Sequence, residues 1–197
     1  MPTYSKQIIE NPLKLKKTCQ KLSDNKFDAL IRESPYNAIR FEPACERLSP
    51  EQFDFCFSQH QSVALRYEHS CKRLNAEQFK DAVEAYSWAA LKYEHACNRL
   101  NPEQFDFCVK ECSWDALISE HSCKKLNTEQ FNFCIQQNNL TDIQPLYYPL
   151  HVCRRLSDIQ FDDALKKYDP DLVETDSYIR QRLSPYQKSW IQEINAD

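Results

Sequence analysis

No glycine occurs anywhere in the 197 residues of this chain. Glycine supplies the positive φ and close backbone approach that phosphate loops, dinucleotide fingerprints and nucleophile elbows require, so all three are excluded as written. Long apolar runs are missing as well: no stretch approaches the ~20 residues of a membrane-crossing helix. The opening segment MPTYSKQIIENPLKLKKTC has neither the apolar core nor the small-residue cleavage site of a secretory signal. That predicts a soluble, cytoplasmic chain with no membrane partner. An excess of positive charge is also lacking, because 25 Lys and Arg stand against 29 Asp and Glu, a formal net charge of −4. No protein-wide basic field therefore draws in nucleic acid, although a local patch stays open.

Cysteine, by contrast, is abundant, with ten residues. In a reducing compartment cysteines act as small buried hydrophobes unless their spacing shows ligands or catalysis. Their spacing here is periodic: Cys19, Cys45, Cys71, Cys97 and Cys123 follow one another at 26 residues, and Cys153 follows after 30. A partial copy, RQRLSPYQKSW, begins at Arg180. The reading is an N-terminal cap over 1–18, a repeat array over 19–179 with an insertion near 140–150, and a partial capping repeat over 180–197.

Each copy carries helix-start signals. A leucine is followed by Ser23, Ser49, Asn75, Asn101, Asn127, Ser157 or Ser184, residue types that cap the free amides of a first helical turn. Pro50, Pro102 and Pro185 come next, where proline costs nothing, and Gln52, Gln78, Gln104, Gln130, Gln160 and Gln187 complete a capping-box pattern. The spacing of Phe79, Ala82, Val83 and Tyr86 predicts the core face of a helix of about ten residues. A second helix is expected from Ser87 through WAALKYEHACNRL, with Ala90, Tyr93, Cys97 and Leu100 along one side. Small residues at Ala38, Ala64, Ala90 and Ala116 let neighbouring helices approach closely.

Two antiparallel helices per 26 residues, with tight polar turns and no strand signals, predict an all-α fold: an α-solenoid of about six helix-turn-helix repeats plus a partial C-terminal one. A globular bundle of the same hairpins is the alternative. The run SWAALKYEHACNRL resembles a bacterial and viral helical repeat family of unknown function, whose units carry a similar Trp-x-Ala-Leu-x-Tyr phrase before a leucine turn. The resemblance covers Cys45 to Cys123 best. This chain lacks the glycine often found there before the aromatic-Ala-Leu run, and the family brings no activity with it.

Three chemical readings compete with the architectural one. His-x-Cys recurs at His69/Cys71, His95/Cys97, His121/Cys123 and His151/Cys153, but residues two apart on a helix lie about 200° around the axis and cannot chelate one ion. Cys56, Cys108 and Cys134 exchange with Ala82 and Ala164 in other copies, the mark of a small core residue, and no single Cys and His stand out as a catalytic pair. No metal, cofactor or catalytic residue is therefore expected, and the chain is read as no enzyme. Lys21, Arg47, Arg73, Arg99, Lys125, Arg155 and Arg182 form a basic column of the kind that tracks phosphates. As cations in a last helical turn, they are better explained by their own helix's dipole, or by pairing with Glu51, Glu77, Glu103 and Glu129.

A function particular to this chain belongs where the copies differ. Two residues after the repeated phenylalanine stand Phe55, Phe107 and Phe133 in three copies but Asp81 and Asp163 in two. The aspartates show that this side tolerates water. The phenylalanines then form either an apolar partner surface or a layer packed under a neighbouring helix. The insertion NNLTDIQPLYYPLHV holds Pro145 and Pro149, which predict a kink or loop, and Tyr147 and Tyr148 as interface anchors. The expected function is a non-enzymatic helical-repeat protein that binds a protein partner through an elongated surface. The alternatives are a small bacterial or phage inhibitor of a defence or nucleic-acid-handling complex, in the manner of anti-CRISPR proteins, and nucleic-acid binding along the basic column.

Overall fold

The computed structural model describes residues 11–138, 150–165 and 177–194. Every regular element among them is a helix. The chain forms two compact units, Met1–Gln104 and Phe105–Asp197. After α1 (Lys16–Lys21) the first unit repeats one pattern three times: a ten-residue helix followed by two six-residue helices. The long helices are α2 (Asp24–Glu33), α5 (Pro50–Gln59) and α8 (Ala76–Ala85). Each leads into a middle helix, α3 (Pro35–Arg40), α6 (Gln61–Arg66) or α9 (Ser87–Lys92), and then a third, α4 (Glu42–Arg47), α7 (Glu68–Arg73) or α10 (Glu94–Arg99). The same pattern continues through α11 (Pro102–Glu111), α12 (Ser113–Ile118), α13 (Glu120–Lys125) and α14 (Thr128–Gln137). Further helices span Leu150–Cys153, Asp158–Leu165, Ser177–Arg182 and Pro185–Ile194.

The repeat thus has three helices where the sequence predicts two. The expected second helix breaks at Phe41, Tyr67, Tyr93 and Ser119, all with extended backbone such as φ −103°, ψ 120° at Tyr93. The cause is visible in what is buried. Ala90 and Ala96 are both 0% exposed, yet six residues of unbroken helix would set them about 120° apart around the axis. Breaking the helix turns both to the core. Tyr93, expected on the core side, is instead half-buried at the break.

The long helices follow their start signals. Ser49, Asn75 and Asn127 each accept from the amide of Gln52, Gln78 and Gln130, and each glutamine side chain returns a bond to the cap amide. Without glycine, the third helices end on residues of negative φ rather than left-handed ones: Leu48, Leu74, Leu100 and Leu126 all have φ between −57° and −61° and ψ near 130°. A capping-box glutamine also reaches the preceding copy. Gln78 Nε2 donates to Asp54 at 2.7 Å, and Gln52 and Gln130 donate likewise to Asp28 and Asp106. Gln78→Ala removes a cap bond and a link between copies, so it is expected to cost about 1–1.5 kcal/mol. Urea unfolding monitored by circular dichroism measures this.

The core is assembled from the repeated positions. Phe27, Phe53, Phe79, Phe105, Phe131 and Phe161 are buried, and Ala38, Ala64, Ala90 and Ala116 are fully so. In the first unit α3 packs on α5 and α6, α6 on α8 and α9, and α4 on α7. In the second, α12 packs on α14, and α13 on the helix from Leu150 to Cys153.

Candidate interaction surface

The six-residue helices leave carbonyls unpaired, because each helix end strands its last C=O groups. Two of the repeated residue types answer this need, and both had been candidates for chemistry. His69 Nε2 donates to the carbonyl of Ile39, His95 to Leu65 and His151 to Leu117, each at 2.8 Å. The acceptor is the middle helix of the preceding copy, just before its break. A carbonyl can only accept, so Nε2 carries the proton and has no lone pair to offer a metal in that state. Ser70 and Ser122 add local bonds, from Oγ to the carbonyls of Ala64 and Ala116.

The arginines of the basic column do the same for the third helices. Arg47 donates to the carbonyls of Cys19 at 2.5 Å and Leu22 at 2.9 Å. Arg73 serves Cys45 and Leu48, Arg99 serves Cys71 and Leu74, Arg155 serves Cys123 and Leu126, and Arg182 serves Cys153 and Leu156. Each guanidinium also lies over the buried phenylalanine of the preceding copy, 4.2–4.6 Å from the ring centre. These cations therefore cap the helix of the copy before them rather than their own. Among the described residues, Arg47 pairs with Asp24 and Arg182 with Asp158, each at a helix start. A guanidinium fork spent on two carbonyls and a ring is poorly placed to track phosphates.

The cysteines are sealed in. Among the described residues, every cysteine but Cys112 is buried. Burial pushes the Cys45 thiol up to about 11, and the Cys56 and Cys134 thiols to about 12, with a neighbouring cysteine adding to the last two. Burial likewise raises Cys19, Cys71 and Cys123, against the opposing pull of Arg47, Arg99 and Arg155. Nucleophiles and zinc ligands need the thiolate, and these environments disfavour it. Among the described residues, no three His, Cys, Asp or Glu groups gather in metal-binding geometry.

The outer face of the long helices is different. Phe53 and Phe105 are 3% and 8% exposed, whereas Phe55 and Phe107, two residues on, are each 38% exposed. Phe133 is half-buried, and Asp81, at the same place in another copy, is exposed. The alternation follows from the helix period: two residues turn a side chain to the far side. Phe55 also lines a cavity of about 230 Å³ between α2 and α5, with Asp28, Ile31, Arg32, Glu51 and Gln52. The side chain of Asp163, and all of Tyr147, Tyr148, Pro145 and Pro149, lie outside the described residues.

Sequence reasoning missed two exposed apolar residues in the second unit. Ile159 is 76% exposed and Tyr186 80%. Both occupy the place that Glu51, Glu77, Glu103 and Glu129 hold in earlier copies. The break in that glutamate column was the available signal. Among the described residues, no helix is long and apolar enough to cross a membrane. Compared with known protein families, curated proteins and solved structures, the chain finds no match.

Proposed function

We propose that this chain is a non-enzymatic α-solenoid that binds another protein through an elongated surface on the outer faces of its long helices. The observation that carries this reading is the contrast between neighbouring positions. Arg, Gln and His at their repeated places bond one copy to the next, and the buried phenylalanine receives the next arginine. The position two residues further on makes no such demand, since Asp81 fills it in an otherwise regular copy. Phe55 and Phe107 nevertheless keep large apolar rings partly in water there. Half-exposed aromatics on a rigid scaffold are the usual anchors of protein interfaces.

Replacing Phe55, Phe107 and Phe133 with Asp tests the reading. The triple variant is expected to keep wild-type helical circular dichroism and to lose at least tenfold in affinity for a partner recovered by crosslinking from native cells. Loss of helical signal would show that the rings belong to the core. Unchanged affinity would remove this face from the interface.

A further inference from the structure

The middle helices of the first unit carry a second basic column, separate from the arginines that cap carbonyls. α3, α6 and α9 read PYNAIR, QSVALR and SWAALK. None contains an acidic residue, each ends on a cation, and each is followed by an aromatic residue at the break, Phe41, Tyr67 or Tyr93. Arg40, Arg66 and Lys92 are all exposed. Because α3 packs on α6 and α6 on α9, the three cations form a row with one member per copy.

Aromatic rings hold part of this row in place. Arg40 lies 5.3 Å from the ring centre of Phe41 and 5.8 Å from that of Tyr36, and Arg66 lies 5.8 Å from that of Tyr93. Tyr93, Tyr67 and Tyr36 all stand near enough to the Arg66 guanidinium to favour its charged form, Tyr93 most strongly. Trp88, on α9 four residues before Lys92, is 39% exposed. The fold does not require any of this. The next copy has Ile118 and Ser119 where the others have a cation and an aromatic, Asp115 appears within α12, and the break at Ser119 keeps the same extended backbone.

We infer that the Arg40–Arg66–Lys92 row, with Trp88 as a stacking platform, binds single-stranded nucleic acid. Three cations repeated along a row match a phosphodiester backbone, and an exposed indole offers a face to a base without reading its sequence. An exposed glutamate stands two residues after each cation, Glu42, Glu68 and Glu94, on the third helix beyond the break, and Glu68 is paired with Lys72 at 2.6 Å. The inference is independent of the phenylalanine surface.

The test is fluorescence anisotropy of the full chain with labelled oligo(U) and oligo(dT) of about 12 nucleotides, in about 50 mM salt. Both single strands are expected to bind, with log K falling against log salt at a slope of about −2, or −0.7 for each of three phosphate contacts. Arg40→Gln, Arg66→Gln and Lys92→Gln together should abolish binding and flatten that slope. Trp88→Ala should weaken it about tenfold, and Arg66→Lys should retain most of it. Circular dichroism verifies that each variant folds. Absence of binding, an undiminished triple variant, or equal affinity for duplex overturns the inference. Competition by polyaspartate as effective as by oligo(U), with Trp88→Ala unchanged, also overturns it and assigns the row to an acidic protein.

Discussion

Arg73→Met is expected to destabilise the first unit by about 3 kcal/mol, far more than a surface arginine normally contributes. In water an exposed arginine exchanges one set of partners for another and its loss is nearly neutral. Arg73 is partly buried, and its guanidinium forks onto the carbonyls of Cys45 and Leu48 while covering the ring of Phe53 at 4.6 Å. Methionine keeps the stem and some ring contact but strands both carbonyls at the end of α4, each costing about 1–3 kcal/mol if water does not reach it. Arg73→Lys should recover less than half of the loss, since one ammonium cannot reproduce a planar two-pronged fork. Arg66→Met is the contrasting case: Arg66 is exposed, so its stability effect should stay within about 0.5 kcal/mol. Urea midpoints for the three variants distinguish the two columns. Equal effects at Arg73 and Arg66 would show that the carbonyl-capping role is not structural.

That contrast also marks what the sequence could and could not disclose. The starts of the long helices were legible, because Ser49 or Asn75 with Gln52 or Gln78 is a local signal whose partners lie three residues apart. The buried phenylalanines and the outward position of Phe55 followed from the helix period alone. The break at Tyr67 and Tyr93 was not legible, since no glycine or proline marks it. At Tyr67 it is held by Ser70, whose acceptor lies six residues back, and by His95 of the following copy, a bond that spans 30 residues. For the same reason Arg73 read as a cation serving its own helix. Its acceptors lie 25 and 28 residues back, beyond any pattern that a single repeat displays. The row of Arg40, Arg66 and Lys92 was hidden differently: its residues vary between copies, and a search for repeated features passes over them.

The other large expected effect is a loss of stability in alkali. Cys56 and Cys134 are 0% exposed, and burial raises their thiols to about 12. In the unfolded chain the same thiols ionise near 8.5–9. Between those values the folded protein holds protons that the unfolded chain has released, so unfolding gains free energy as pH rises. The stabilisation is complete below about pH 9 and is lost progressively toward about pH 12, at ~1.4 kcal/mol per pH unit for each thiol. By about pH 10.5 each thiol should have cost its own unit ~2 kcal/mol. Tyrosine and lysine also titrate there, so the decisive comparison is with Cys56→Ala and Cys134→Ala combined. Alanine already occupies this position as the fully buried Ala82, and the double variant should lose only ~1–2 kcal/mol at neutral pH from the smaller side chains. Urea midpoints in the presence of a reductant are then expected to cross: wild type is the more stable at pH near 7, the double variant at pH near 10.5. Parallel curves would mean that these thiols reach water in the folded state and that burial does not hold them protonated.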